Sequence, residues 1–360
     1  MRVLVVSTVG ICYEGITSVI LETLKAMDKS GLALYIVGTI RVEDDLRRTF
    51  EDLGCQIVEM PNRRTNTFRY FIELIKFIKE KKIDVVHAHG NSATLAIELL
   101  AAKIGGCKKR IAHSHNTKCD QKRADKLLRP LFYSLVTECL ACSDVAGKWL
   151  YPKRTFKVIN NGRNVEKYKY DIQQRNTMRN KYNLKDKLII GHVGGFVEQK
   201  NHSFLIDIFK CIHSMNSKTM LVLVGDGVLR NMVEEKVKRL GIQDSVYFVG
   251  ITNQVESWLQ VMDGMLFPSL FEGLPLVTIE WQIAGLPCLL SDTITRECAV
   301  TDLVEFCSLN ANPEKWASLI LEKIALNDRK KASEEAENKI VTAGFDIKES
   351  SRELKEIYMR

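Results

Sequence analysis

Val261-Met262-Asp263-Gly264-Met265-Leu266-Phe267-Pro268, then Ser269-Leu270, then Phe271-Glu272-Gly273-Leu274-Pro275-Leu276-Val277-Thr278-Ile279-Glu280, runs from one apolar segment through a loop into another. The segment Val261–Pro268 reads as a buried strand. Pro275 suits the first position of a helix, because its missing N–H would be unpaired there anyway. A helix starting inside the motif aims free N–H groups and the positive end of its dipole at the loop, a binding place for an anion such as a diphosphate. Glu272 then stands in the loop and Glu280 lies on the helix about five residues in, roughly 7–8 Å along the axis. Taken alone, the pair would read as a loop acid and a solvated helix acid, so the rest of the chain has to decide.

Outward from this stretch the same alternation repeats. Residues 2–8, 33–39, 83–88, 109–114 and 155–160 read as short apolar strands separated by helix-length amphipathic segments. Strands resume at Leu188–Val193, Met220–Val224, Val246–Val249, Gly264–Phe267 and Cys288–Leu290, with helices such as Asn201–Met215 and Arg230–Leu240 between them. Strands alternating with helices predict parallel sheets flanked by helices. Between the two series, residues 164–187 are polar, with no apolar run longer than two residues, and read as a linker. The expected division is 1–165, 166–340, and a C-terminal helix 341–360 returning to the first domain. Doubly wound sheets bind ligands at the carboxyl ends of their strands, beside a crevice.

Composition narrows the class. The chain has 360 residues, 46% hydrophobic and 27% charged, enough for two separate cores. No apolar run reaches the ~18 residues of a membrane span. The absence of a signal-like start and ten scattered cysteines predict a reducing cytoplasm. Cys139-Leu140-Ala141-Cys142 is the only CxxC, and without a second it reads as buried thiols rather than a zinc set. The net charge of +8 is uneven: residues 1–165 carry 27 Lys/Arg against 17 Asp/Glu, and residues 166–360 carry 25 against 27. Part of the basic excess (Arg63, Arg64, Arg69, Lys76, Lys79, Lys81, Lys82) flanks an amphipathic stretch containing Phe68, Tyr70, Phe71, Ile72, Leu74, Ile75, Phe77 and Ile78. Such a stretch can lie on an anionic membrane or pack on its own sheet. No helix-turn-helix, RNA-binding aromatic motif or lysine-rich tail argues for nucleic acid.

Five motifs in order carry a family resemblance. Arg110-Ile111-Ala112-His113-Ser114-His115-Asn116, Asn160-Asn161-Gly162, Gly194 to Lys200, Gly225-Asp226-Gly227, and Glu272-x7-Glu280 with Ile283-Ala284-Gly285-Leu286-Pro287 behind it are together similar to glycosyltransferase family 4, and over most of the length to its bacterial capsular and exopolysaccharide branch. The resemblance implies the GT-B architecture, two Rossmann-like doubly wound domains facing a central cleft. It implies transfer of a sugar, with retention of configuration and without a bound metal or cofactor, from a nucleotide-sugar, most often a UDP-sugar, to a saccharide acceptor, with lipid linkage suggested by the basic first half. The chain would then work in the cytoplasm, peripherally at the inner face of the cell membrane. A sugar-nucleotide 2-epimerase of the same fold and a non-catalytic sugar-nucleotide-binding subunit are the alternatives.

Residue by residue, the resemblance makes Glu272, Lys200 and His115 the catalytic set. Donor binding falls to Gly15, Gly194, Gly195, Lys200, Gly225, Gly273, Leu274, Leu276, Val277 and Glu280, with Glu280 on the ribose and Glu272 on the transferred sugar, both as ionised acceptors. His87, His89 and Asn116 are candidates on the acceptor side. A leaving diphosphate develops charge that fixed N–H dipoles and a cation must stabilise, a task for Lys200 and the helix start around Leu276 and Val277. Where the family usually has Gly-Arg, this chain has Gly194-Gly195. Losing that charge-assisted contact would cost about 1.5–3 kcal/mol unless another basic side chain substitutes. His113 and His115 point the same way if their strand continues. His113, His115 and Cys119 raise the thought of a metal cluster, but no carboxylate spacing supports it.

Overall fold

The computed structural model describes residues 1–12 and 14–360. Tyr13, in the loop ahead of Gly15, lies outside the described residues. The chain divides into two compact units, 1–162 with 344–360, and 163–343.

The first unit carries a seven-stranded sheet: β1 (Arg2–Ser7), β2 (Ala33–Gly38), β3 (Gln56–Glu59), β4 (Val85–Gly90), β5 (Lys109–Ser114), β6 (Glu138–Ala141) and β7 (Lys157–Val158). Its order is β3-β2-β1-β4-β5-β6-β7, every pairing parallel. The chain winds outward one way from β1 and returns to its other side through β4, which puts the topological switch, where such sheets bind ligands, between the ends of those strands. Helix Gly15–Ala26 and the C-terminal helix Ile347–Met359 cover one face, burying Leu24, Leu354, Ile357 and Tyr358 against Val3, Val5 and Ile111. The other face is packed by Tyr70, Leu74 and Ile78 of helix Thr67–Lys81 and by Leu99, Ala101 and Ala102 of helix Ala96–Ile104.

The second unit has six parallel strands, β8 (Leu188–Val193), β9 (Thr219–Val224), β10 (Val246–Gly250), β11 (Gly264–Phe267), β12 (Cys288–Ser291) and β13 (Val304–Cys307), ordered β10-β9-β8-β11-β12-β13. Its switch lies between β8 and β11. Separate apolar clusters fill the two faces, one built on Phe209, Leu221 and Trp316, the other on Trp258, Phe267 and Trp281.

Three expectations are corrected. The polar stretch 164–187 is not a structureless linker: helices Val165–Tyr168 and Ile172–Lys181 lie in it, capped by the side chains of Asn164 and Asp171. Those caps satisfy N–H groups that the first turn leaves free. Arg179 reaches the Val261 carbonyl at 2.8 Å and Asp263 at 2.6 Å, so charge rather than apolar periodicity anchors this segment. Val261 ends helix Val255–Val261 instead of starting a strand, because apolar periodicity in so short a run does not separate a buried helix end from a strand. Pro275 caps helix Leu276–Ile283 rather than opening it, with φ −75° and ψ 100°.

Candidate functional site

The loop after β8 and the loop after β11 meet in the second unit. Leu270 N–H donates to the Gln199 carbonyl at 2.8 Å, and Gln199 Nε2 donates to the Phe271 carbonyl at 2.9 Å. The Lys200 ammonium donates to Glu272 Oε1 at 2.7 Å and lies 4.6 Å from the centre of the Phe267 ring. Both side chains are largely buried. A shielded pair of this kind is a strong local charge source, since the protein screens it less than water would.

Behind that pair the loops pack tightly. Gly194 N–H donates to the Val224 carbonyl at 2.9 Å, and Gly225, with φ +135°, brings its Cα so near that a Cβ there would lie 2.1 Å from the Gly194 oxygen. Only glycine fits at 225. A Cβ on Gly194 would stand 3.0 Å from His192 Nε2. Gly195 is different: its φ is ordinary and a Cβ would meet only the Asp226 carbonyl, at 3.6 Å, so a side chain is sterically admissible where the resemblance calls for arginine. Arg230, one helical turn beyond Gly227, is the basic side chain nearest in sequence to the glycine turn, and Asp226 and Glu234 already engage it.

Gly273 is exposed, Leu274, Leu276 and Val277 are half-buried, and the helix that follows carries Glu280 inward. Glu280 is not the solvated acid that an isolated motif suggests. It pairs with Arg163 at 2.8 Å, each side chain about nine-tenths buried. Burial pushes its carboxyl above the ordinary range, while Arg163 and a hydrogen bond from Tyr168 oppose that shift. Arg163 and Tyr168 were missed from sequence, although Arg163 directly follows the Asn160-Asn161-Gly162 motif. His192 and His202 were missed as well. His192 Nδ1–H donates to the Leu266 carbonyl, 2.9 Å away, and its ring lies edge-on to that of His202. Burial, reinforced by Lys200, lowers His202 to about 4.

In the first unit, β4 and β5 bring four histidines to one face. His89 is the register partner of His113. His113 and His115 stack at 4.4 Å, so they do point the same way even though the strand ends at Ser114. His89 Nδ1 lies 2.8 Å from His115 Nε2, His87 Nε2 lies 3.3 Å from His113 Nδ1, and His87 Nδ1 lies 2.7 Å from the Tyr358 hydroxyl. Burial keeps all four neutral, lowering His115 to about 4 and the other three well below their ordinary value. Asn116 stands apart from the stack. It lines a cavity of about 560 Å³ together with Arg63, Arg64, Asn91, Thr94 and Lys118, which His87 and His89 do not reach. Arg63 is also no free surface cation, being paired at 2.6 Å with the buried Glu98. Gly15, exposed at the start of its helix, would meet nothing among the described residues with a Cβ, so no close approach among them requires glycine there; Gly10, in the same loop, is constrained, with φ +92°.

Comparison with known proteins accounts for both halves of this arrangement. Residues 13–167 match the family model Glycosyltransferase Family 4, and residues 174–340 match Glycosyl transferases group 1. The chain belongs to the family 4 glycosyltransferases. It is 28% identical over 370 residues to EpsF of Bacillus subtilis (strain 168), itself only provisionally assigned as a glycosyltransferase, covering 94% of this chain and 96% of that one. It is 26% identical over 336 residues to the Escherichia coli UDP-Gal:alpha-D-GlcNAc-diphosphoundecaprenol alpha-1,3-galactosyltransferase, covering 88% and 85%. Among solved structures, Anabaena HepE in complex with UDP superposes over the full length of both chains with a TM-score of 0.81 at 17% identity, a likeness of GT-B fold.

Proposed function

We propose that this glycosyltransferase moves a sugar from a UDP-sugar, with retention and without a metal on the diphosphate, to a lipid-linked saccharide in the assembly of a capsular or extracellular polysaccharide. The observation that carries the reading is the Lys200–Glu272 pair at the switch point of the second sheet, beside two glycine turns and a helix start. A diphosphate entering there meets Lys200 and the N–H groups around Leu276 and Val277 in place of a metal ion. In the transfer, the sugar C1–O bond to the diphosphate breaks and the acceptor oxygen bonds C1. The acceptor's hydroxyl proton leaves with the diphosphate. Glu272, once Lys200 turns to phosphate, is free to accept from the sugar's hydroxyls. Glu280 retains lone pairs for a ribose beyond those used by Arg163 and Tyr168.

The UDP seen with HepE and the UDP-Gal and diphosphoundecaprenol in the name of the Escherichia coli relative support the donor and acceptor classes. The 560 Å³ cavity with Arg64, Asn91, Asn116 and Lys118 suits a polar acceptor. No helix among the described residues is long and apolar enough to cross a membrane. A membrane-bound acceptor would instead be met at the helix Thr67–Lys81, whose Phe68 is 78% exposed among basic neighbours. The test is transfer from UDP-sugars to a polyprenyl-diphosphate saccharide in the presence of EDTA, with the product's anomeric configuration read by NMR. Retained configuration with an acceptor requirement supports the reading. Conversion of the UDP-sugar to its isomer without acceptor would make the chain an epimerase, and donor binding without turnover would make it a binding subunit.

A further inference from the structure

His87, His89 and His113 each present a ring nitrogen within 4.8 Å of the other two. We propose that these three side chains form a binding site for one divalent first-row cation of the zinc class, held within the first unit.

The backbone makes the set. His87 and His89, two apart on β4, project from the same face, and His113 stands beside His89 in register. Zinc–imidazole bonds of about 2.0–2.1 Å in tetrahedral geometry set ligand nitrogens about 3.3 Å apart. His87 Nε2 and His113 Nδ1 already have that separation, 3.3 Å. A ligating imidazole must give its second N–H to an acceptor, which fixes tautomer and ring. Two of the three have such an outer partner in place: His87 Nδ1 faces Tyr358 Oη at 2.7 Å and His89 Nδ1 faces His115 Nε2 at 2.8 Å. Tyr358 comes from the C-terminal helix, so the site ties that helix to the sheet.

Beside the cluster is a cavity of about 20 Å³ lined by His89, His113, Asn161 and Tyr358, room for about one water-sized ligand. His113 Nε2 and Asn161 Oδ1 are buried there with no partner among the described residues. A water in that space, not on the cation, would accept from His113 Nε2–H and donate to Asn161 Oδ1, giving the third imidazole its outer partner. With imidazoles alone and no carboxylate or thiolate in the set, the site favours zinc, cobalt, nickel or copper over magnesium or calcium. The competing arrangement is a metal-free chain of hydrogen bonds in which Tyr358 donates to His87. Binding of a cation reverses that bond, His87 Nδ1–H then donating to Tyr358.

The deciding measurement is titration of the full chain, stripped with EDTA and desalted, with Co²⁺ and then Zn²⁺. The expected result is one Co²⁺ per chain with intense tetrahedral d–d bands, no thiolate charge-transfer band, and displacement by Zn²⁺. His87→Gln and His113→Gln lose the bands, and Tyr358→Phe weakens binding 10–100-fold through loss of the outer partner. If the histidine variants do not fold, the native chain and Tyr358→Phe still decide. Absence of a stoichiometric tetrahedral spectrum, a thiolate band, bands that persist in the histidine variants, or unchanged affinity in Tyr358→Phe would overturn the site. None of these readouts uses glycosyl transfer, so failure here leaves the donor reading standing, and failure of transfer leaves the metal site standing.

Discussion

The two units finish their switch-point strands with opposite chemistry. In the first, β4, β5 and the residue just past β5 carry four neutral imidazoles, three of them buried and His115 partly so. In the second, the loops and helix around β8 and β11 hold two shielded ion pairs, Lys200–Glu272 and Arg163–Glu280. Both sheets are parallel and doubly wound, so topology does not produce the difference; the side chains at the strand ends do. Paired charges are suited to a ligand whose charge grows during reaction, because fixed partners cost little reorganisation. Neutral imidazoles offer lone pairs and titration instead.

Removing one member of a buried pair should give the largest effect. Glu280→Ala removes the carboxylate that balances the buried Arg163 guanidinium, and breaking a buried pair in this way typically costs about 3–5 kcal/mol. Urea unfolding, with hydrogen exchange to locate the loss in the second unit, should find it there, and a change below about 1 kcal/mol would mean that the pair is not as shielded as it looks. Lys200→Ala should reduce turnover about 10²–10³-fold, in the range for losing one stabilising donor to developing charge, with Lys200→Arg recovering part of it. Equal turnover in Lys200→Ala would break the assignment of the second unit as the charge-handling one.

Acid should separate the units next. The folded-state values of His115 and His202, about 4, lie below the unfolded value of about 6.5. Their neutral forms therefore contribute stability that is complete above about pH 6.5 and lost as the pH falls toward 4. Each shift corresponds to about 3 kcal/mol. Four such imidazoles in the first unit against His192 and His202 in the second predict that, in EDTA, amides of β4 and β5 lose hydrogen-exchange protection at higher pH than those of β8. Simultaneous loss would show that the stack shares its protons more readily than its burial implies. At Gly195 a Cβ meets no clash, so an arginine there that reached the phosphate in Gly195→Arg should raise donor affinity or turnover about 10-fold, equivalent to about 1.4 kcal/mol, and no gain would mean that the contact does not form. Gly15→Ala, meeting nothing among the described residues, should change stability by less than about 0.5 kcal/mol. A large loss of donor affinity in that variant would instead restore the close approach to a ligand.

Much of the fold was legible. The strands of β1, β5, β8 and β11 were readable as short apolar runs, whereas the C-terminal helix expected from 341 starts only at Ile347, after Gly344 with φ +79°. The misreadings cluster where apolar periodicity is weak: residues 164–187 are helical because Asn164 and Asp171 cap them and Arg175 and Arg179 are bound elsewhere. Arg63 looked like a membrane-facing cation because nothing local announces that Glu98, 35 residues on, is its partner.

By itself, the sequence determined the alternation of strand and helix, the glycine turns at 194 and 225, a helix beginning beside Pro275 and the presence of acids at 272 and 280, since these depend on local backbone preference and on the period of apolar residues. Only the tertiary structure decided that Lys200 meets Glu272 across 72 residues, that Glu280 is held by Arg163, and that histidines on β4 and β5, 26 residues apart, share one buried face with Tyr358. Those contacts depend on parallel strand register and on a C-terminal helix that returns to the first sheet, neither of which is written in any single stretch of chain.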